Sequence, residues 1–130
     1  MELDINKIFS EIEVQEEKYI SFWKDICNIE TVSGDKEALD ELASFIGEFA
    51  TKEGFEVTYL SVDENGFISL DELRNSIKDT TILVTIMFAN NEIGTIQNIS
   101  EITKITKFKG VYFHTDAVQA VGNVKIDVED

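Results

Sequence analysis

The chain has 130 residues, 43% hydrophobic, 28% charged and 10% aromatic, enough for one compact domain or one and a half. Eleven Lys and Arg against 26 Asp and Glu give a formal charge of −15 and a pI near 4.3, a field that repels phosphate backbones and anionic lipid and so argues against nucleic-acid and membrane-surface partners. The apolar run Ile82–Ala89 is too short to cross a bilayer, the acidic start is unlike a signal peptide, and one cysteine with one histidine makes neither an internal disulfide nor a multi-histidine metal centre.

These features predict a reduced, soluble, cytoplasmic protein with no metal site. The chain also has no proline, where the usual frequency is about 5%.

Residues 1–60 carry 5 lysines and 15 acids, net −10, and residues 61–130 carry 6 basic and 11 acidic residues, net −5. The first part reads as two helices. Ile5, Phe9, Ile12, Tyr19, Trp23, Ile26 and Ile29 recur at three- and four-residue spacing or its sums, with Glu and Lys between. Thr31–Asp35 breaks the pattern, with Ser33 or Asp35 as the next cap. A second helix runs from about Lys36 to Lys52 on Leu39, Leu42, Ile46, Phe49 and Ala50, and Gly54 ends it in a left-handed turn.

From Phe55 the period changes. Phe55–Leu60 reads as a strand, and Ser69-Leu-Asp-Glu72 as a capping box opening a short helix through Leu73 and Ile77. Thr81–Phe88 is apolar on both faces, the pattern of a buried parallel strand. Asn98 caps a helix whose Ile99, Ile102, Ile105 and Phe108 are expected to face one way, Gly110 stops it, and Val111–Thr115 is a third strand. The order β-α-β-α-β predicts a parallel sheet with right-handed crossovers.

Several residues invite a site. Asp63, Asn65, Gly66 and Glu72 imitate half of a calcium loop, but an incoming strand and the lack of a partner loop favour a turn before a capped helix. Asn98-Ile-Ser100 is a glycosylation sequon with no transferase to meet in the cytoplasm. Cys27, among Ile26 and Ile29, reads as a half-buried structural thiol, and His114 as a packed strand histidine. The informative positions are the carboxyl ends of the last two strands, where parallel sheets bind ligands. There Asn90, Asn91 and Glu92 follow Phe88, and Asp116 and Gln119 follow Thr115, presenting amides and a carboxylate to a small polar or heterocyclic ligand.

Val57–Leu60, Val62-Asp-Glu-Asn-Gly66, Thr81–Met87, Asn90-Asn-Glu-Ile-Gly-Thr-Ile-Gln97 and Phe113-His-Thr-Asp-Ala-Val-Gln-Ala-Val-Gly122 together resemble cysteine desulfurases, from about Gly54 to Val128. Those are class V aminotransferase-type, pyridoxal-phosphate enzymes of the aspartate-aminotransferase-like fold, associated with iron–sulfur cluster assembly. The resemblance implies that Asp116 pairs with the pyridine nitrogen and keeps the ring an electron sink. It implies that Gln119 donates to the phenolic oxygen and that Asn91 holds the same side of the ring. The family usually has His where Phe88 stands. None of Lys104, Lys107, Lys109 or Lys125 has the Ser/Gly-x-His context of the family's Schiff-base lysine, and Cys27 is not its catalytic cysteine, so no catalytic residue is assigned.

Ile8-Phe9, Tyr19–Glu30 and Thr31-Val-Ser-Gly-Asp35, followed by a helix and Gly54-Phe-Glu-Val57, resemble instead the N-terminus of glutamate-carboxypeptidase-like di-zinc metallopeptidases. That family's zinc ligands lie beyond its first helices, so no metal ligand carries over. The two resemblances together imply a hybrid joined within Lys52–Leu60. Ser61, Asn98 and Lys125 occupy places where desulfurases commonly have proline.

The expected architecture is α/β. A helical segment, 1–53, precedes a partial aminotransferase class V segment, 54–130, with three parallel strands and the Lys36–Lys52 helix packed where the native desulfurase helix would lie. The expected function is that of a partial cysteine desulfurase-like protein, whose family moves sulfur from L-cysteine to give alanine and an enzyme persulfide, inactive as this isolated chain. The alternatives are a fragment of a zinc-dependent carboxypeptidase-like metallopeptidase and a non-catalytic acidic interaction module. Expected ligands are pyridoxal phosphate, in an incomplete site, and an amino acid. The open edges of a narrow sheet predict self-association.

Overall fold

The structure, a computed structural model, describes residues 4–32 and 34–127. Two compact units make up the chain, Met1–Val57 and Thr58–Asp130. Among the described residues no helix is long and apolar enough to cross a membrane.

In the first unit, Asp4 opens α1 (Ile5–Val14): its Oδ1 accepts the N–H groups of Asn6 and Lys7 at 3.1 and 3.2 Å, donors that a helix start leaves without partners. The helix stops at Gln15 (φ −106°, ψ 6°), and α2 (Glu16–Asn28) begins beyond it. The single helix expected over Ile5–Ile29 is therefore two. Glu13 meets Glu16 and Glu17 at three- and four-residue spacing, and such like-charge pairs weaken a continuous helix there. Asp35 caps α3 (Lys36–Lys52) by accepting the Ala38 N–H at 3.1 Å; Ser33, the other expected cap, lies outside the described residues. Gly54, at φ +92°, ends α3 as expected: Phe55 N–H donates to the Ala50 carbonyl and Gly54 N–H to that of Thr51, both at 3.0 Å.

Aromatic rings join α2 to α3. Phe22 stacks on Phe49 with centroids 3.7 Å apart and on Phe45 at 5.6 Å, while Lys18 pairs with Glu53. No described residue of these three helices is buried. Cys27, expected half-buried, is exposed. It follows Ile26 by about 100° around the helix, which turns it away from the stripe of Phe22, Ile26 and Ile29.

The strand expected at Phe55–Leu60 carries no sheet pairing. Val62 and Ile68 form an isolated antiparallel bridge around the Asp63–Gly66 turn. Ser69 Oγ caps α4 (Leu70–Ser76) from the Glu72 N–H at 3.2 Å. The Glu72 carboxylate does not return to Ser69; its Oε1 accepts the Ser61 N–H at 3.1 Å, which ties the preceding segment to the helix.

β1 (Leu83–Thr85), α5 (Ile99–Lys109) and β2 (Tyr112–His114) form a β-α-β unit, with the strands parallel and in register Leu83↔Tyr112, Val84↔Phe113 and Thr85↔His114. The α/β class is as expected, but the sheet has two strands rather than three. Val84 and Phe113 pack towards Leu73, Ile77, Ile102 and Ile105. Leu83, Thr85, Tyr112 and His114 are exposed, so Thr81–Phe88 is not buried on both faces. A parallel sheet is covered on both faces only when helices lie on both, and α4 and α5 supply one layer. His114 is not packed either; its Nδ1 lies 2.7 Å from Thr85 Oγ1 on the exposed face.

Asn98 caps α5 through the Glu101 N–H at 3.3 Å, and Gly110 ends it at φ +70°. Ile102 is fully buried but Phe108, expected beside it, is 88% exposed. Each three-residue step falls about 60° short of a full turn, so nine residues after Ile99 the stripe has crossed the helix. Thr106 takes the buried place instead.

Candidate functional site

Pairing continues beyond the strands proper. Ile86 N–H donates to the His114 carbonyl at 3.1 Å and Phe88 N–H to that of Asp116 at 2.8 Å, and Thr115 Oγ1 donates to the Ile86 carbonyl at 2.7 Å. Two loops therefore leave the same carboxyl edge side by side, one from Ala89 and the other from Asp116.

The first loop is a tight hairpin. Ala89 and Ile96 bridge antiparallel, Asn90 N–H donates to the Thr95 carbonyl at 2.9 Å, and Gly94 N–H returns to the Asn90 carbonyl at 3.0 Å. Asn90 Oδ1 accepts the N–H groups of Glu92 and Ile93 at 2.9 and 3.1 Å. Asn90 thus builds the turn, and Asn91 stands exposed at its corner. Gly94 needs its φ of +76° to bring the chain back.

The second loop is fixed by Asp116, whose Oδ1 accepts the Val118 N–H at 3.0 Å while the residue remains exposed. Gln119 is also exposed, and its carbonyl accepts from Asn123 Nδ2 at 3.2 Å. Beneath it Ala120 is fully buried against Phe88 and Ala89, which anchors this turn to the end of β1. Phe88 is a packing residue 8% exposed. Asn91, Asp116 and Gln119 therefore stand in solvent beyond the carboxyl ends of adjacent parallel strands.

The calcium-like residues are engaged otherwise. Asp63 Oδ1 accepts the N–H groups of Asn65 and Phe67, both at 2.9 Å, so the segment is a side-chain-braced turn. Among the described residues no group of three or more His, Cys, Asp and Glu could hold a metal ion. Sequence reasoning gave no role to Gln97 or Thr95, although both reach across to this turn; the glycine in Asn65-Gly66 was the available signal.

The chain belongs to the aminotransferase class-V family, whose profile matches residues 36–130. It is similar to cysteine desulfurase IscS of Clostridium botulinum (strain Hall), 63% identical over 83 residues that make up 64% of this chain and 21% of that protein. It is also similar to cysteine desulfurase IscS of Methanosarcina thermophila, 68% identical over 77 residues, 59% of this chain and 19% of that one. A solved structure described as SspA in complex with cysteine superposes with a TM-score of 0.63 at 34% identity, covering 78% of this chain and 26% of that one.

The chain is thus partial and cysteine desulfurase-like, and spans about a fifth of the length of these curated relatives. Its α/β unit is a partial aminotransferase-like domain of a pyridoxal-phosphate-dependent family. The family match opens at Lys36, the first residue of α3, and so takes in a helix expected to belong to the segment 1–53.

Proposed function

We propose that this chain carries one side of a pyridoxal-phosphate site, formed by Asn91, Asp116 and Gln119, and takes part in no turnover as the isolated polypeptide. The observation that carries the reading is Asp116. Its carbonyl is held by Phe88 N–H at 2.8 Å and its Oδ1 by Val118 N–H at 3.0 Å, so an exposed carboxylate is fixed at the edge where two parallel strands end. A carboxylate with a primary amide on each side of it in sequence fits the nitrogen and phenolic-oxygen side of a pyridine ring.

When bound, the cofactor supplies an electron-withdrawing ring that stabilises negative charge on a substrate carbon. Asp116 accepts the ring N–H and holds the proton on that nitrogen, because a charge-assisted hydrogen bond favours the ionised pair. Gln119 donates to the phenolic oxygen, and Asn91 steadies the same side. The amino acid proposed is L-cysteine, from the likeness to cysteine desulfurases and to a structure holding cysteine. The residues give no lysine in the family's context, so binding is expected without sulfur release.

The segment 1–53 is proposed as a metallopeptidase-like start joined within Lys52–Leu60. Support comes from its residue strings and from α3, which suits both patterns. The open sheet edges make a second copy of the chain the proposed partner, and the acidic, one-cysteine composition favours the cytoplasm.

The reading is tested with pyridoxamine 5′-phosphate, which cannot condense with surface lysines. A ligand that binds only the folded state raises its melting midpoint. The midpoint should rise with ligand and not rise in Asp116→Asn, whose Oδ1 still accepts from Val118. No rise in the unsubstituted chain contradicts the reading. So does release of sulfide from L-cysteine, with added pyridoxal phosphate, above the free-cofactor background.

A further inference from the structure

We propose that Gln97 is a positioning residue that locks the Asp63–Phe67 turn against the Asn90–Gly94 hairpin and thereby holds Asn91 at the ligand edge. The inference rests on the reading of Asn91 given above, but its mechanical part stands on geometry alone. Gln97 Nε2 donates to the Gly66 carbonyl at 2.7 Å, and its Oε1 accepts the Ile68 N–H at 3.3 Å. One side-chain amide thus serves both an acceptor and a donor of the facing segment, as a neighbouring strand would. Gln97 is itself fixed, since its own N–H donates to the Phe88 carbonyl at 2.8 Å, at the end of β1. A second tie lies alongside it: Thr95 Oγ1 donates to the Asn65 carbonyl.

Gly66 makes this approach feasible. Its φ is +81°, and a Cβ there would stand 2.5 Å from Ile93 Cδ1 and 3.0 Å from Thr95 Oγ1. The turn therefore runs close beside Ile93, which is two residues from Asn91 within the hairpin. Thirty residues of chain separate Asn65 from Thr95, so without these ties the Asn90 turn would be braced only by its own local bonds.

Gln97→Glu separates positioning from bulk. The ionised carboxylate still accepts from Ile68 but cannot donate to Gly66. Amide hydrogen exchange of the full chain should accelerate about fivefold to tenfold at Glu92, Ile93 and Gly94, the loss expected for one hydrogen bond. Exchange at Ile102 in α5 should stay unchanged. Thr95→Val, which removes only the hydroxyl tie, should show a smaller effect at the same amides. Affinity for pyridoxamine 5′-phosphate should fall in Gln97→Glu in step with the exchange.

Unchanged exchange at the hairpin, or uniform acceleration including Ile102, overturns the positioning role. Affinity kept in Gln97→Glu but lost in Asp116→Asn also overturns it, and leaves the ligand reading standing. Affinity indifferent to both substitutions defeats the ligand reading, and the exchange pattern still decides whether Gln97 holds the hairpin.

Discussion

Phe88 and Asp116 are joined by a backbone hydrogen bond of 2.8 Å at the point where the two strands stop, one with its side chain packed inward and the other exposed. The bond makes the apolar packing under the sheet end and the polar edge above it parts of one construction. Phe88 closes on Ala89 and Ala120, and Ala120 follows Gln119 directly.

Replacing Phe88 by histidine should therefore disturb this chain. Phe88→His places ring nitrogens in a cluster of apolar side chains, which costs about 1–3 kcal/mol when no partner is present. Urea unfolding should show that loss, together with weaker pyridoxamine 5′-phosphate binding. Unchanged stability would mean that the cluster already accommodates a polar ring.

Core and surface positions of α5 should separate sharply. Ile102 is fully buried and Phe108 is 88% exposed. Ile102→Ala should destabilise the second unit by about 2–5 kcal/mol, whereas Phe108→Ala should stay within about 0.5 kcal/mol of the unsubstituted chain. Equal losses from equilibrium unfolding would mean that Phe108 is covered in solution.

Glu101 gives a pH dependence of known sign. A hydrogen bond from Lys104, then its charge and more weakly that of Arg74, lower its pKa below the ordinary 4.5. The unfolded state therefore takes up the proton first, and the stabilisation is present above the unfolded pKa and lost as pH falls through the folded one. Lys104→Met should make stability less steeply dependent on pH below about 4.5, an effect already reduced by high salt because the pair is exposed. Identical slopes for the two proteins at low salt would contradict the assignment.

Exposed Cys27 should react with a thiol reagent in the folded chain at close to the rate it shows in denaturant. A reaction that waits for denaturant would restore the half-buried reading.

Features set by a few neighbouring residues were legible in the sequence. Asp35, Ser69 and Asn98 cap the helices expected of them, and Gly54 and Gly110 end theirs with positive φ. Each depends on residues three or four positions away. Features needing a distant partner were not legible. Phe55–Leu60 has strand composition, but composition does not supply a neighbouring strand. Leu83 and Tyr112 have core composition, yet the exposed face of the sheet has no helix layer over it within the second unit. Ile99, Ile105 and Phe108 showed a third difficulty, because exact three-residue spacing drifts around a helix. At the candidate site, Asn91, Asp116 and Gln119 could be placed at strand ends from order alone. Gln97 could not be given its role, because Gly66 and Ile68 lie about thirty residues away in sequence.

The most direct measurement is a ¹H–¹⁵N spectrum of the chain titrated with pyridoxamine 5′-phosphate. Saturable shifts confined to Asn91, Asp116, Gln119 and their immediate neighbours are the predicted result, abolished by Asp116→Asn. Shifts centred on α1 to α3, or none at millimolar ligand, would contradict a ligand edge at the ends of β1 and β2.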